Sequence, residues 1–420
     1  MSVFAPLQGL LGIAAILLIA WSVSENRRAL PPWKWIAGAV LLQAAIALVV
    51  LRVPVIWEAL RVANAAVTAV QTASLAGSSY MFGFLGGAEP PFELKPGATA
   101  PVIIAFQILP IVIFVSALAA LLWHWGVLRW IVRALSFALR RTLGVGGAVG
   151  LSAGANVFLG VVEAPLVVRA YLMSMSRAEL FMIMTLGMST VSGVVLVLYS
   201  QTLAQVVDNS FGHIITASLI SLPAALLIAR LMVPGEGATD ADLEGSLRFE
   251  SSIDALVRGT MDGLALFLAV IAVLIVVFSL VALTDQILGG LPDVAGSALT
   301  LRRIFGWVFA PLMWTLGVPW AEAADAGALM GTKAILNEYV AYQQLATEYA
   351  GRLSGRSMLI VTYALCGFAN LASIGLLIST LTTLAPDRRT EFLSLGIKSW
   401  LAGNLATSMV GAVIGLVTPS

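Results

Sequence analysis

Eight apolar stretches, each about 18 residues or longer, constrain this chain more than any other feature. They run over 7–24, 35–53, 103–125, 181–206, 213–233, 263–283, 358–384 and 396–416. Segments of that length and polarity satisfy their backbone groups in a bilayer only as helices. Composition agrees: 60% of the 420 residues are hydrophobic and 11% charged, against about 25% charged in a soluble domain. The fold class is therefore an all-α polytopic membrane protein with eight transmembrane helices.

Several function classes drop out. A net charge of +1 gives no basic surface for nucleic acid. Cys366 is the only cysteine, so the chain has no internal disulfide and no thiolate metal motif. His124 and His213 stand far apart and form no metal-ligand spacing. There is no Ser/His/Asp set and no nucleotide-binding loop, so an enzyme is not expected, and no cofactor is called for. The N-terminus lacks a basic leader, and its apolar segment reads as a retained first helix.

Two further segments are apolar but punctuated. Residues 144–165 carry glycines at 144, 146, 147, 150, 154 and 160; residues 304–333 contain Pro311, Gly317, Pro319 and Gly327. Glycine and proline weaken a straight helix, and irregular backbone survives at membrane depth only when shielded by protein or facing a watery cavity. Both segments are expected to be re-entrant helical hairpins. With an external N-terminus, 15 of the 23 Lys and Arg residues fall in inside loops, Arg27, Arg28, Arg129, Arg133, Arg140 and Arg141 among them. Both termini are then external, and the two hairpins enter from opposite faces as an inverted repeat. The stretch 127–141 intersperses four arginines with apolar residues, as an interfacial amphipathic helix does; the cytoplasmic end of the third span is the alternative. The polar run 238–258 reads as a cytoplasmic connector.

Each half repeats one arrangement: a carboxylate near the second arm of a broken hairpin, then a span with small polar residues. The first half has Glu163 in NVFLGVVEAPLVV, followed by MSTVSGVVL. The second has Glu338 in GTKAILNEYVAYQQL, followed by LCGFANLASIGLL. Paired broken elements mark a transporter's central site, and a carboxylate in an apolar segment faces a cavity or a partner. Plainer readings stand beside this one. Glu163 could pair with Arg169, and Glu338 with Lys333. Asn370 and Ser373, three apart on one helix face, could serve only as interhelical hydrogen-bonding glue. Met182, Met184 and Met188 read as core or lipid-facing.

The segments NVFLGVVEAPLVVRAYL, GTKAILNEYVAYQQL and ALCGFANLASIGLL resemble the signatures of the concentrative nucleoside transporter family, over roughly residues 100 to 417. The resemblance implies import of nucleosides by alternating access in symport with sodium or protons. It also implies a homotrimer in the bacterial inner membrane, each protomer having a scaffold and a moving transport domain. Residues 1–143 would be mainly scaffold; 144–420 would hold the two inverted halves of the transport core with some scaffold helices. Matched position by position, Gly160, Val161, Val162 and Glu163 surround the nucleobase, with Val195 packing against it. Glu338, Asn370 and Ser373 hold the ribose hydroxyls, and Phe368 is an aromatic lining position. Asn156, Leu159, Thr190 and Val191 match the sodium site; for Thr190, bonding to helix backbone is the plainer role. Many members carry Gln and then Thr or Ser where Val161 and Val162 stand, so base readout should be weaker or wetter here. A proton on Glu163 is the alternative coupling device. The competing functions are a cation channel and a symporter for another small polar solute.

Overall fold

The computed structural model describes residues 4–93, 102–161, 163–235, 239–240, 248–294 and 296–418, with side chains from Gln8 onward. Val162, Lys95 and most of the first half of the 238–258 run lie outside the described residues. Seventeen α-helices form the described architecture, and no strand occurs among these residues. They are α1 Phe4–Ser22, α2 Trp33–Arg52, α3 Pro54–Phe82, α4 Ile111–His124, α5 Val127–Leu143, α6 Gly147–Asn156, α7 Ala164–Val167, α8 Arg177–Ser189 and α9 Gly193–Leu203. There follow α10 Ser210–Met232, α11 Ser252–Gly289, α12 Leu301–Thr315, α13 Trp320–Gly331, α14 Glu338–Thr347, α15 Gly355–Leu365, α16 Leu371–Leu384 and α17 Arg389–Val417.

Among the described residues, six helical stretches are long and apolar enough to cross a membrane, with shorter apolar helices at Gln8–Ser22 and Leu371–Leu384. The apolar stretches at 181–206 and 358–384 are each two helices. α8 and α9 part at Thr190, whose backbone is extended (φ −114°, ψ 169°), and the Ser192 hydroxyl accepts from the Val195 amide to restart the helix. α15 and α16 part over Cys366–Asn370, and Asn370 caps α16. The 29-residue α3 has no counterpart among the expected spans. Its Ala-, Thr- and Ser-rich composition falls below the hydropathy of a span, although Pro54 in its first turn and Gly83 after its end (φ +59°) bound it as a helix.

Residues 127–141 do form a helix, α5, which buries Leu128, Val132, Ser136, Leu139 and Leu143 and exposes Trp130 and Phe137. Three glycines of the next segment do not break it. Gly147, Gly150 and Gly154 lie within α6, and a Cβ at Gly154 would stand 2.7 Å from the Val132 carbonyl, so glycine lets α5 and α6 approach. Pro311 likewise stays inside α12; the break comes at Leu316–Pro319, where Gly317 has φ +109°. α12 and the helical run 320–336 are bent by 117°. Gly327 approaches α12 as Gly154 approaches α5: a Cβ there would meet the Gly306 carbonyl at 2.7 Å.

The element order thus repeats. α5, α6, the irregular residues 157–161 and α7 correspond to α12, α13, a π-helical turn Thr332–Leu336 with extended Asn337, and α14. The glutamates occupy matching places: Glu163 precedes α7 and Glu338 opens α14. The stretch 304–333 therefore pairs α12 with α13, whereas the arms that flank the second glutamate are α13 and α14. The sequence misleads there because Pro311 is the stronger breaker on paper, yet the chain keeps its helix through it.

Burial sorts the helices. The spanning windows of α8–α9, α10 and α17 are 94%, 83% and 78% buried, whereas those of α2, α4 and α11 are 22%, 22% and 6% buried. The first group encloses the broken segments. In the second, α11 packs on α4 through Gly259 and Gly263, where a Cβ would lie 2.8 Å from the Ser116 carbonyl and 2.7 Å from Ile113 Cα. That small-xxx-small spacing is the usual route to close helix contact in lipid.

Candidate functional site

The breaks meet. The Gly193 amide donates to the Phe158 carbonyl (3.1 Å), joining the first turn to the α8–α9 break. The Phe368 amide donates to the Thr190 carbonyl (3.3 Å), joining that break to the α15–α16 break. Gly367 permits the crossing, since a Cβ on it would lie 2.9 Å from the Ser189 carbonyl. Asn404 of α17 completes the arrangement. Its Nδ2 donates to the Ala369 carbonyl (3.0 Å), and its Oδ1 accepts from Lys333 Nζ (2.9 Å) in the second turn.

A cavity of about 530 Å³ lies beside this crossing, within the size range of small-molecule sites. Gly160, Val161 and Glu163 line it from the first turn, and Val195 from α9. Glu338 lines it from α14, with Phe368 and Asn370 from the second break and Ser373 from the first turn of α16. The structure thus brings together every described residue expected at the nucleobase and ribose. The outer wall comes from α4 and α11, including Ser116 and Asp262, and the cavity reaches Arg258 near the start of α11.

Glu338 is 1% exposed, and both of its carboxyl oxygens are hydrogen-bonded. Oε1 accepts from the Tyr199 hydroxyl (2.5 Å) and Oε2 from Asn370 Nδ2 (2.8 Å). Asn370 is not on a helix face with Ser373. It is the N-cap of α16, and its Oδ1 accepts from the Ser373 amide (2.9 Å) and hydroxyl (3.0 Å). Their spacing of three is that of an N-cap to N3 bond, and it leaves Nδ2 for the carboxylate. Glu338 also sits at a helix N-terminus, where unpaired amides favour negative charge. The eight ion pairs found among the described residues include neither Glu163–Arg169 nor Glu338–Lys333. Lys333, wholly buried, donates instead to Asn404 and to Thr407 (2.8 Å).

Glu163 folds back on its own turn. A Cβ at Gly160 would stand 2.5 Å from Glu163 Oε2. Position 160 must therefore be glycine for the carboxylate to lie there. Asn156, Leu159, Thr190 and Val191 are all buried, at the end of α6, in the following turn and at the α8–α9 break. Asn156 Nδ2 donates to the Ser152 carbonyl (2.9 Å), and the Thr190 hydroxyl to the Leu186 carbonyl (2.8 Å), the plainer role foreseen for it. The three methionines 182, 184 and 188 are core.

Tyr199, which borders the cavity and bonds Glu338, is not among the residues expected from sequence. A hydroxyl four residues after Val195 in an apolar run was the available signal, since that spacing puts both on one helix face.

A helical membrane protein with a largely apolar cavity, set with a few convergent polar groups, at the crossing of two repeated breaks has the architecture of a secondary transporter. Comparison with known proteins agrees. Residues 11–85 and 213–415 match the N- and C-terminal models of the Na+ dependent nucleoside transporters, and 105–206 match a nucleoside-recognition gate model. An uncharacterized transporter of Haemophilus influenzae is 37% identical, over 98% of this chain and 97% of that protein. The nucleoside permease NupC of Helicobacter pylori is 33% identical, over 99% and 98%. The solved structure of CNTnw in an inward-facing substrate-bound state superposes with a TM-score of 0.88 at 38% identity, covering 98% of each chain. A substituted CNTnw in an outward-facing state gives 0.89 at 36%, over 98% and 97%. The chain belongs to the concentrative nucleoside transporter family, a family of membrane permeases and not of enzymes.

Proposed function

We infer that this protein imports nucleosides by alternating access, in symport with a cation. The observation that carries the reading is the Glu338 carboxylate, presented to the cavity by Tyr199 and Asn370. An ionised carboxylate offers about four lone-pair positions. Two are used here, which leaves two for the vicinal hydroxyls of a ribose. Asn370 and Ser373 supply further polar groups, and Phe368 an aromatic wall.

The nucleobase lies on the side of Gly160, Val161, Glu163 and Val195, with Val162 next to it in sequence. Valine offers a base no hydrogen bond, so Glu163 is the main polar group there, and discrimination among bases is weak. Asn156, Leu159, Thr190 and Val191 form the cation site. Their oxygens, one side-chain amide, one hydroxyl and carbonyls beside a helix break, are the hard donors an alkali cation takes. Sodium is the coupling ion this favours, and the rat sodium/nucleoside cotransporter 1, 28% identical over 97% of this chain, is named for it. A proton on Glu163 is the other device. The protein works as a homotrimer in the bacterial inner membrane, with both termini external. α4 and α11 belong to the scaffold, and the segments around the crossing to the moving domain. The cavity reaches Arg258, on the side assigned to the cytoplasm, as an inward-open path requires.

Equilibrium binding of uridine to Glu338→Gln tests the site. Hydrogen bonds to a charged group contribute about 1.5–3 kcal/mol, so losing the charge should weaken binding at least about tenfold. Unchanged affinity would remove Glu338 from the site.

A further inference from the structure

We propose that Tyr199 is a positioning residue for sugar recognition: its hydroxyl fixes the Glu338 carboxylate so that the free lone pairs face the sugar hydroxyls. This rests on the reading of Glu338 as the ribose ligand. Tyr199 is 1% exposed yet borders the cavity, and its hydroxyl donates to Oε1 at 2.5 Å. Asn370 grips the other oxygen at 2.8 Å. A carboxylate held at one oxygen can still rotate about its last torsion, which has a broad two-fold potential. Held at both, it cannot. The ring is itself fixed, packing against Tyr342 (centroids 4.9 Å apart) and stacking on Tyr339 (6.3 Å).

The bond also crosses the repeat. Tyr199 belongs to α9 in the first half and Glu338 to α14 in the second. Val195, which borders the cavity one turn earlier, shares its helix face, so α9 sets the base side and orients the sugar side together. A shift of α9 relative to α14 would loosen the sugar site without touching Glu338. This gives Tyr199 a role in specificity: it should matter for ligands with both sugar hydroxyls and little for ligands that lack one.

The test is binding of uridine, 2′-deoxyuridine and 3′-deoxyuridine to the purified full-length protein and to Tyr199→Phe, Glu338→Gln and the double variant. Tyr199→Phe keeps the ring. It should weaken uridine about tenfold, the worth of one hydrogen bond to a charged group, and weaken the deoxynucleosides less, compressing the uridine-to-deoxyuridine ratio. The double variant should bind no worse than Glu338→Gln, because the hydroxyl acts through that charge. Tyr342→Phe removes a hydroxyl from the same aromatic cluster, one that donates to the Thr362 carbonyl, and should leave the ratio alone. Where Tyr199→Phe cannot be purified, Tyr199→Met must show the same compression. An unchanged ratio in the Tyr199 variants, or equal compression in Tyr342→Phe, overturns the proposal. Full uridine affinity in Glu338→Gln would instead show that the underlying sugar site is wrong.

Discussion

Val161 concentrates the question of what this transporter distinguishes. It is buried against the cavity, and a Cβ on Gly187 of α8 would lie 3.1 Å from its Cγ2, so the side chain also packs the first turn onto α8. Val161→Gln would place an amide donor and acceptor on the cavity wall proposed to face the base. Sites that hydrogen-bond a ligand reject analogues that leave those groups unpaired. The substitution should therefore widen the ratio of uridine to adenosine affinity while leaving dependence on the sugar hydroxyls unchanged, since Glu338 and Asn370 belong to the other half. Competition binding reads both; an unaltered base preference would mean that position 161 does not face the base. At this scale the sequence was informative wherever a polar residue stood in apolar surroundings. Glu163, Glu338 and Asn370 were visible for that reason. Tyr199 was not, because tyrosine in an apolar run passes as core until its hydroxyl's partner is seen.

Between elements, the crossing of the two breaks is a close contact beside the site. At Gly367 a Cβ would stand 2.6 Å from Thr407 Cγ2 and 2.9 Å from the Ser189 carbonyl, and a backbone atom cannot rotate away. Gly367→Ala should lower thermal stability, by about 1–3 kcal/mol if overpacking elsewhere is a guide, and weaken nucleoside binding with it. Full stability and affinity would show that the breaks are free to separate. A second device ties the α1–α2 connection to α8 and α17. Glu25, between α1 and α2, bonds Arg177 at the start of α8 (2.8 Å) and Lys398 of α17 (2.6 Å). The hydrogen bond from Arg177, then that from Lys398, hold its carboxyl down from 4.5 to about 2 against the opposing effect of burial. A lowered pKa contributes stability that is fully present above the ordinary value and is lost as pH falls through the folded one. Glu25→Gln should thus be less stable than wild type at neutral pH, with the gap closing from pH 4.5 to about 2. A gap in melting temperature that stays constant over that window would mean that the ion pairs add nothing. The helix breaks were legible from Gly, Pro and the capping residues, but their pairing was not. Pro311 marked a break that the chain does not make, and glycines in α6 marked helix contact, because one residue type serves both purposes.

For the whole molecule, hydropathy made the membrane class and most helices plain, since lipid allows few alternatives. It did not separate buried helices from outer ones. α11 and α10 are both apolar by sequence, yet the α11 window is 6% buried and that of α10 83%. That difference depends on what each helix packs against, which composition does not carry. The helix α3 was missed for the converse reason, being a long helix too polar to announce itself. On the proposed function, the cavity at the crossing moves a nucleoside uphill at the expense of a cation gradient. Uptake of radiolabelled uridine and adenosine into proteoliposomes, with sodium and pH gradients imposed separately, tests it directly. Coupled transport predicts accumulation above the external concentration under an inward sodium gradient, or under a proton gradient if Glu163 carries the coupling, and none without a gradient. It further predicts that Glu163→Gln abolishes that accumulation. Cation flux that needs no nucleoside, or gradient-driven accumulation that survives Glu163→Gln unchanged, would contradict it.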